Sequence, residues 1–110
     1  MAIAPLNEFK SITFNVTTSP EKVYDAPISA SSIILIAQVA NTSLSTRAFS
    51  AYVRTGGQNF DVCPSFEIPA KDTLVFIEGK FVLGEGDELY VFCDANSALQ
   101  LTMSVLETSA

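Results

Sequence analysis

Residues 11–17 read Ser-Ile-Thr-Phe-Asn-Val-Thr, and in this stretch Ile12, Phe14 and Val16 alternate with small polar side chains. A period of two places successive side chains on opposite faces of an extended chain, so the stretch predicts a strand with one buried face. The same alternation returns near the C-terminus, where polar residues separate four apolar ones: Leu99, Leu101, Met103 and Val105. The two stretches together predict an all-β chain.

Two internal stretches add detail to the predicted sheets. Residues 33–39 are apolar on both faces except at Gln38, which predicts a central strand covered on both sides. A proline cannot donate a ladder hydrogen bond, so Pro64 predicts a sheet edge or a bulge in a later strand. That strand places four apolar residues on one face: Phe60, Val62, Phe66 and Ile68.

Turn-forming residues separate the predicted strands at spacings of roughly 8 to 12 residues. Examples are Asn-Thr-Ser at 41–43, Gly56-Gly57, and Gly-Glu-Gly-Asp at 84–87. Seven to nine short strands at such spacings predict a single antiparallel β-sandwich, with jelly-roll or immunoglobulin-like connections. The 110 residues have room for one such domain, which we assign to residues 8–110, with residues 1–7 as an N-terminal arm.

The chain is acidic and carries few charges. Its net charge is −6, and charged residues make up 16% of the sequence. Nucleic acids and anionic membranes are bound through clustered Lys and Arg, whereas the six basic residues here are spread singly, so we expect neither partner. A low charge fraction leaves apolar surface for protein partners. No apolar run reaches the length of a membrane span, and no secretory signal is recognisable, so we expect the chain to stay where it is made or to leave by lysis.

The sequence contains no histidine, which is the commonest general base and transition-metal ligand. Trp is absent and no phosphate-binding loop is present, so we expect no enzyme activity and no cofactor. Glu85, Asp87 and Glu88 are predicted to form a solvated loop rather than a metal site, because carboxylates in a hairpin turn discourage edge pairing. Cys63 and Cys93 are predicted to be small buried apolar residues, with a cross-strand disulfide as the alternative.

Several apolar residues are candidates for contact with a partner. Tyr90 and Phe92 share the strand face that is normally polar, and such aromatic residues are enriched at interface cores. The alternative is that their strand is central or covered by a loop. Phe76 raises the same question one strand earlier, and the apolar arm either frays or lies on a neighbour. The candidate interface residues are therefore Ile3, Leu6, Phe9, Phe76, Tyr90 and Phe92.

From about Phe9 to the C-terminus, the order of several segments resembles the small virion structural proteins of tailed phages, especially those that infect cyanobacteria. The segments are Thr-Thr-Ser-Pro at 17–20, Val-Tyr-Asp-Ala-Pro at 23–27, the apolar run 33–41, Ile-Pro-Ala-Lys-Asp at 68–72, Gly-Lys-Phe-Val-Leu at 79–83, Glu-Gly-Asp at 85–87, and residues 95–102 and 106–107. The resemblance implies a β-sandwich on the virus particle, made in the host cytoplasm. It carries no catalytic residues over to this chain.

Three functions follow from these observations. The favoured one is a capsid decoration (cement) protein on the outer surface of the head, where many copies bind the major capsid protein or other virion proteins and add small gains per contact. Such a protein would be a homo-oligomer, most simply a trimer. The second is a small tail, neck or fibre component, although the loops at 41–46 and 56–59 are short and poor in aromatic residues. The third is a non-viral carbohydrate-binding or adhesin-like domain, which would predict a signal peptide or a larger parent chain.

Overall fold

The computed structural model describes residues 6–109, which form eight β-strands and no helix. The predicted all-β sandwich of seven to nine strands is confirmed. Of the predicted arm, residues 1–5, Ile3 among them, lie outside the described residues, whereas Leu6 and Asn7 are the first two residues of the first strand. The strands are β1 (Leu6–Asn15), β2 (Glu21–Asp25), β3 (Ala30–Asn41), β4 (Arg47–Thr55), β5 (Gln58–Ile68), β6 (Thr73–Leu83), β7 (Glu88–Cys93) and β8 (Leu99–Ser109).

The eight strands form two antiparallel four-stranded sheets. Sheet 1 has the order β1-β8-β3-β6, and sheet 2 has the order β2-β7-β4-β5. The first strand pairs with the last, the second with the seventh, the third with the sixth and the fourth with the fifth. The chain therefore resembles one long hairpin rolled over itself, which is a jelly roll. This order excludes the immunoglobulin-like connections that the sequence left open.

The tip of that rolled hairpin is the turn between β4 and β5. Gly56 and Gly57 both have positive φ angles, 59° and 79°. A two-residue hairpin turn that follows the twist of its strands needs this combination, which glycine adopts without a steric penalty. The turn sets Thr55 opposite Gln58, and the pairing of β4 with β5 begins there.

The core lies between the inward faces of the two sheets. The alternation predicted for residues 11–17 is observed: Val16 is buried, and Ile12 and Phe14 are half-buried because β1 is an edge strand. Burying a large apolar side chain contributes about 1.5–3 kcal/mol, so the core is the main source of stability. Its largest fully buried members are Val16, Ile34, Val39, Phe49, Ile68, Leu83, Leu89, Val91, Leu99, Leu101, Met103 and Val105.

The prediction for β3 is half right. The strand is central, between β8 and β6, as its apolar sequence indicated. Its outer face is not covered, because a jelly roll has two layers and no described element packs on this side. Ile36 is 39% exposed, and Ile33 and Leu35 are only half-buried.

The prediction for β5 holds at the edge and changes in its detail. The strand is an edge of sheet 2, and its pairing with β4 shifts register on both sides of the Ala51–Cys63 pair. These shifts, next to Pro64, interrupt the predicted apolar face. Cys63 reaches the core, whereas Phe60 and Phe66 are each half-exposed along the edge.

The two cysteines are free and buried, which confirms their prediction as small core residues and excludes a disulfide between them. Burial raises the pKa of both the Cys63 and the Cys93 thiol. A thiol with a raised pKa carries little reactive thiolate at neutral pH. Neither cysteine is therefore a candidate nucleophile.

A buried polar network joins the two sheets. A carboxylate can only accept hydrogen bonds, so the Tyr24 hydroxyl on β2 donates to Glu107 Oε2 on β8, at 2.5 Å. The Ser32 hydroxyl lies 2.8 Å from the same Tyr24 oxygen and donates to it. Lys10 on β1 completes the network with its Nζ 3.0 Å from Glu107 Oε1. Tyr24, Ser32 and Glu107 are all buried, so the network satisfies polar groups that would otherwise be costly to desolvate.

The contacts in this network shift the pKa values of Glu107 and Tyr24. Burial raises the pKa of Glu107, but the hydrogen bonds from Tyr24 and Lys10 and the Lys10 charge outweigh burial and hold the pKa below its ordinary value. Burial and the hydrogen bond to Glu107 raise the pKa of Tyr24 to about 12. Glu107 is therefore ionised and Tyr24 neutral at physiological pH.

Candidate interaction surfaces

The outer face of sheet 1 carries an apolar row that crosses all four strands. The register places Phe9 opposite Leu106, Leu106 opposite Ile33, and Ile33 opposite Val82. We call these four residues the outer row. Phe9 is 73% exposed and Val82 is 67% exposed, and the two between them are half-buried. An outer sheet face in water is normally polar, so a complete apolar row there is a candidate interface.

The rows beside the outer row are mostly polar but nearly uncharged. One contains Ser11, Ser104, Ile36 and Glu78, in the order of the strands. The next contains Thr13, Thr102, Gln38 and Val75. Glu78 is the one charged residue in these three rows, and the exposed Lys80 lies between it and Val82 on β6. Hydroxyl and amide groups are cheaper to desolvate than carboxylates, so this face is suited to burial against another protein.

The outer face of sheet 2 carries an aromatic cluster. Tyr52 on β4 stacks on Tyr90 on β7, with ring centroids 5.1 Å apart and an interplanar angle of 8°. Phe92 meets the edge of Tyr52 at 6.5 Å. All three side chains are half-buried, partly because β7 is central between β2 and β4. The strand of Tyr90 and Phe92 is therefore central, as the alternative for these two residues stated, and the rings of the cluster pack mainly on one another.

Charged side chains border the aromatic cluster on the β2 side. The Lys22 ammonium lies 3.2 Å from Asp25 Oδ2 and 3.0 Å from Glu88 Oε2. Lys22 pairs in register with Tyr90, so these ions sit beside the stack. A partner on this face would have to displace or accommodate solvated ion pairs. The outer face of sheet 1 is therefore the better apolar surface.

The six candidate interface residues fall in different places. Phe9 lies in the outer row, and Tyr90 and Phe92 lie in the aromatic cluster. Phe76 faces the interior, where its ring lies 4.9 Å from that of the fully buried Phe49. The register shift between Ala37 and Gln38 leaves both Phe76 and Ile77 on the inner side of the strand. The backbone of Leu6 opens β1, and Ile3 lies outside the described residues. Whether the exposed candidates touch a partner stays a prediction.

Sequence reasoning missed the other three members of the outer row. Leu106, Ile33 and Val82 come from three distant parts of the chain, and each looks ordinary in its own strand. Only the pairing register shows that they stand side by side. Val82 gives one local signal, because it follows Phe81 and precedes Leu83, so one of the three consecutive apolar residues must face outward.

The acidic loop and the surface depressions offer little for chemistry. Glu85 Oε2 accepts a hydrogen bond from Ser29 N at 2.6 Å and so joins this loop to the β2–β3 loop, whereas Asp87 Oδ2 accepts one from Gly84 N within its own loop at 2.9 Å. Among residues 6–109 no three acidic or cysteine side chains are grouped as metal ligands, and no helix is suited to cross a membrane. A broad depression of about 670 Å³ lies along β1 and β8, with Glu21 as its one ionisable lining residue.

The fold resembles several solved structures at low sequence identity. One is a subunit of Bacillus endospore appendages, described as disulfide-linked pili, with a TM-score of 0.57, 10% identity, and coverage of 96% of this chain and 88% of that one. Another is a chain of the infectious bursal disease virus Gx strain, with a TM-score of 0.58, 12% identity, and coverage of 97% and 33%. A third is from the VP2 subviral particle of the same virus, with a TM-score of 0.54, 12% identity, and coverage of 96% and 33%.

These likenesses concern the fold. The chain spans about a third of the length of the virus chains that it matches. No protein-family model matches the sequence, and a search of curated proteins finds no match either.

Proposed function

We propose that this chain is a virion structural protein that binds the outer surface of a capsid as a decoration (cement) protein, and that it has no enzyme activity and no cofactor. The observation that carries the proposal is the outer row, Phe9, Leu106, Ile33 and Val82, on a nearly uncharged sheet face. Domains that function alone in solution rarely expose a continuous row of apolar side chains across four strands of an outer face.

Two further observations support a place in an assembly. The jelly-roll order is the same architecture that viral capsid domains use, and the likeness to the virus chains extends over nearly all of this one. The protein is also small, and its polar surface is built mainly from uncharged side chains. A small domain repeated many times on a shell adds modest gains per contact by multivalency. The proposed partners are the major capsid protein and neighbouring copies of this chain.

A tail, neck or fibre component is the second candidate. Its support is the aromatic cluster of Tyr52, Tyr90 and Phe92, because aromatic rings are common platforms for sugar rings. The rings stack on one another, however, and present their edges beside the ion pairs of Lys22. We therefore place this candidate behind decoration.

The proposal is tested on purified virions of the virus that encodes this chain. Gel densitometry measures copy number: hundreds of copies per particle support decoration, and a dozen or fewer support a tail component. Absence of the chain from purified virions would overturn both.

The role of the outer row is tested with matched variants added back to particles that lack the chain. Val82→Asp places a carboxylate at the end of the row, and Gln58→Asp places one at the β4–β5 turn of sheet 2, away from this face. Both sites are exposed, so both variants should fold. We expect Val82→Asp to lose particle occupancy at least tenfold and Gln58→Asp to keep it. Equal occupancy of the two variants would show that the row does not contact the capsid. Val82→Lys removes the same apolar contact as Val82→Asp but introduces the opposite charge. A similar loss of occupancy in both variants therefore indicates lost apolar contact and not charge repulsion.

A further inference from the structure

The two sheets have four edge strands, and β1 differs from the other three. The pairings of β2, β5 and β6 with their neighbours all contain register shifts, and β5 also contains Pro64. Bulges and prolines are among the devices that prevent an edge from pairing with another chain, as are charged side chains that face inward at the edge. Of these devices β1 has only the last, in Glu8 and Lys10. By contrast, β1 pairs with β8 without a shift over ten consecutive residues, from Leu6 to Asn15. It therefore presents a regular edge that another strand can extend.

The side chains of β1 also leave a charge unbalanced. Glu8 stands directly opposite Glu107 on β8, and like charges at opposed positions are destabilising. Lys10 is the nearby cation, and its ammonium is already bound to Glu107 at 3.0 Å. Glu8 itself is exposed at the free edge of the sheet. A second cation on the open side of β1 would balance it.

We propose that β1 pairs antiparallel with β1 of a second copy of this chain, with Phe9 opposite Phe9 across a two-fold axis. In this register Glu8 of each copy faces Lys10 of the other, and Asn7 faces Ser11. Each Glu8 thereby gains a second cation beside it, and each Lys10, which its own Glu107 already binds at 3.0 Å, gains a second carboxylate.

The alternative registers are less favourable. Residues directly opposite each other must point to the same side of the sheet. The two-fold axis can therefore move along β1 only by whole residues. Moving the axis one residue toward the N-terminus sets Glu8 against Glu8, and moving it one residue the other way sets Lys10 against Lys10. Both place like charges directly opposite. A further step leaves Glu8 opposite Phe14 and Lys10 opposite Ile12, without charge partners. The Phe9 register alone pairs opposite charges.

The pairing also changes the outer row. An axis perpendicular to the sheet keeps both outer faces on one side, so the two rows meet at Phe9 and become one. Neighbouring strands lie about 4.8 Å apart, so the row lengthens from roughly 14 Å to roughly 34 Å. One four-stranded face of ten-residue strands covers roughly 600 Å², below the roughly 800 Å² that each partner buries in a stable interface. Two joined faces exceed that area.

The pairing itself does not depend on the proposed function, because it is measured on the purified protein without any virion. The sequence favours a trimer, whereas this edge predicts a two-fold pair, and the two differ in mass. Light scattering on the full chain should give twice 11.8 kDa at micromolar concentrations. A monomer that persists to the highest soluble concentration, or a trimer, would overturn the pairing.

Disulfide trapping tests the register. Opposed residues in antiparallel strands have Cα atoms about 4.5–5.5 Å apart, within the range of a disulfide. We therefore expect Phe9→Cys to form a cross-linked dimer within minutes of mild oxidation. Thr13→Cys lies on the same strand and face, but its two copies would be about 27 Å apart and should not cross-link. The native cysteines, Cys63 and Cys93, are buried, so the wild type should not cross-link and gives the background of the assay. Equal cross-linking of the two variants would refute the register.

Charge reversal tests the ion pairs separately from the fold. Glu8→Lys sets like charges opposite each other twice in the dimer, so we expect the dissociation constant to rise at least tenfold. In the monomer the same change replaces a carboxylate opposite Glu107 with a cation, so thermal stability should stay the same or rise. Opposite directions in these two measurements support the proposal. An unchanged dissociation constant would contradict it.

Discussion

Replacing Tyr24 by Phe removes a single oxygen from the polar network between the sheets, and its cost can be worked out from the contacts. The hydroxyl donates to the ionised Glu107 at 2.5 Å and accepts from Ser32 at 2.8 Å. A hydrogen bond to a charged group contributes about 1.5–3 kcal/mol, and a neutral one contributes about 1 kcal/mol. The ring remains and its packing is kept. We therefore expect Tyr24→Phe to lower the free energy of unfolding at pH 7 by about 2.5–4 kcal/mol, a large part of a typical domain's stability.

The size of this loss should depend on pH in a defined direction. The folded pKa of Glu107 lies below its ordinary value of 4.5, so its contribution to stability is complete above that value and is lost as the pH falls through the folded pKa. The difference between wild type and Tyr24→Phe should therefore shrink below about pH 4. The pKa of Tyr24 is raised to about 12 from 10.0. The wild type should lose stability between these two values, and Tyr24→Phe should lack that loss.

Urea unfolding followed by far-ultraviolet circular dichroism measures these free energies at one low protein concentration. Tyr52→Phe is the matched control, because it removes a hydroxyl from the outer aromatic cluster and leaves the network intact. Its effect should stay within about 0.5 kcal/mol. A Tyr24→Phe variant as stable as Tyr52→Phe at pH 7, or a loss that stays constant down to pH 3, would refute the reasoning.

Three further predictions concern the loops and the core. Asn41 is buried, and its amide donates to the carbonyls of residues 45, 68 and 69. We therefore expect Asn41→Ala to lower the free energy of unfolding in urea by about 2–4 kcal/mol. Equal stability would contradict the role of Asn41 in fixing the β3–β4 turn. At Gly57, φ is +79° and a Cβ would meet no neighbour within 4 Å, so Gly57→Ala should cost about 1 kcal/mol through backbone strain while Gly57→Asn costs less; a thermal melt that ranks them in reverse would count against this reading. Cys63 and Cys93 should react with a thiol reagent only after unfolding, because both are buried with raised pKa values; fast labelling of the native protein would show otherwise.

Much of the fold can be read from local pattern. The period-two alternation at residues 11–17 and 99–105 identified β1 and β8 and their inward faces, because a strand turns successive side chains to opposite sides. Pro64 marked an edge strand, because a proline removes a donor from the ladder. Gly56-Gly57 marked a hairpin, because both positions need positive φ. Each of these inferences rests on residues that are neighbours in the chain.

The outer row could not be predicted from residues that are neighbours in the chain. Phe9 was identified, but Leu106, Ile33 and Val82 joined it only through three pairings between strands far apart in sequence. Phe76 was assigned to a surface because its strand is apolar on both faces, yet the register shift between Ala37 and Gln38 leaves both Phe76 and Ile77 on the inner side, where Phe76 packs on Phe49. A shift of one residue exchanges the two faces of a strand, and nothing local to that strand reveals it.

The amino-acid sequence by itself predicted most of the strands and turns, although not β2, and it shows that the chain is poor in charge and contains no histidine. The tertiary structure decided the jelly-roll order, the partners of each strand, and therefore which apolar residues form the outer row. The physical reason is that a strand's periodicity is set by its own backbone, whereas its place in a sheet is set by competition among all possible pairings across the whole core.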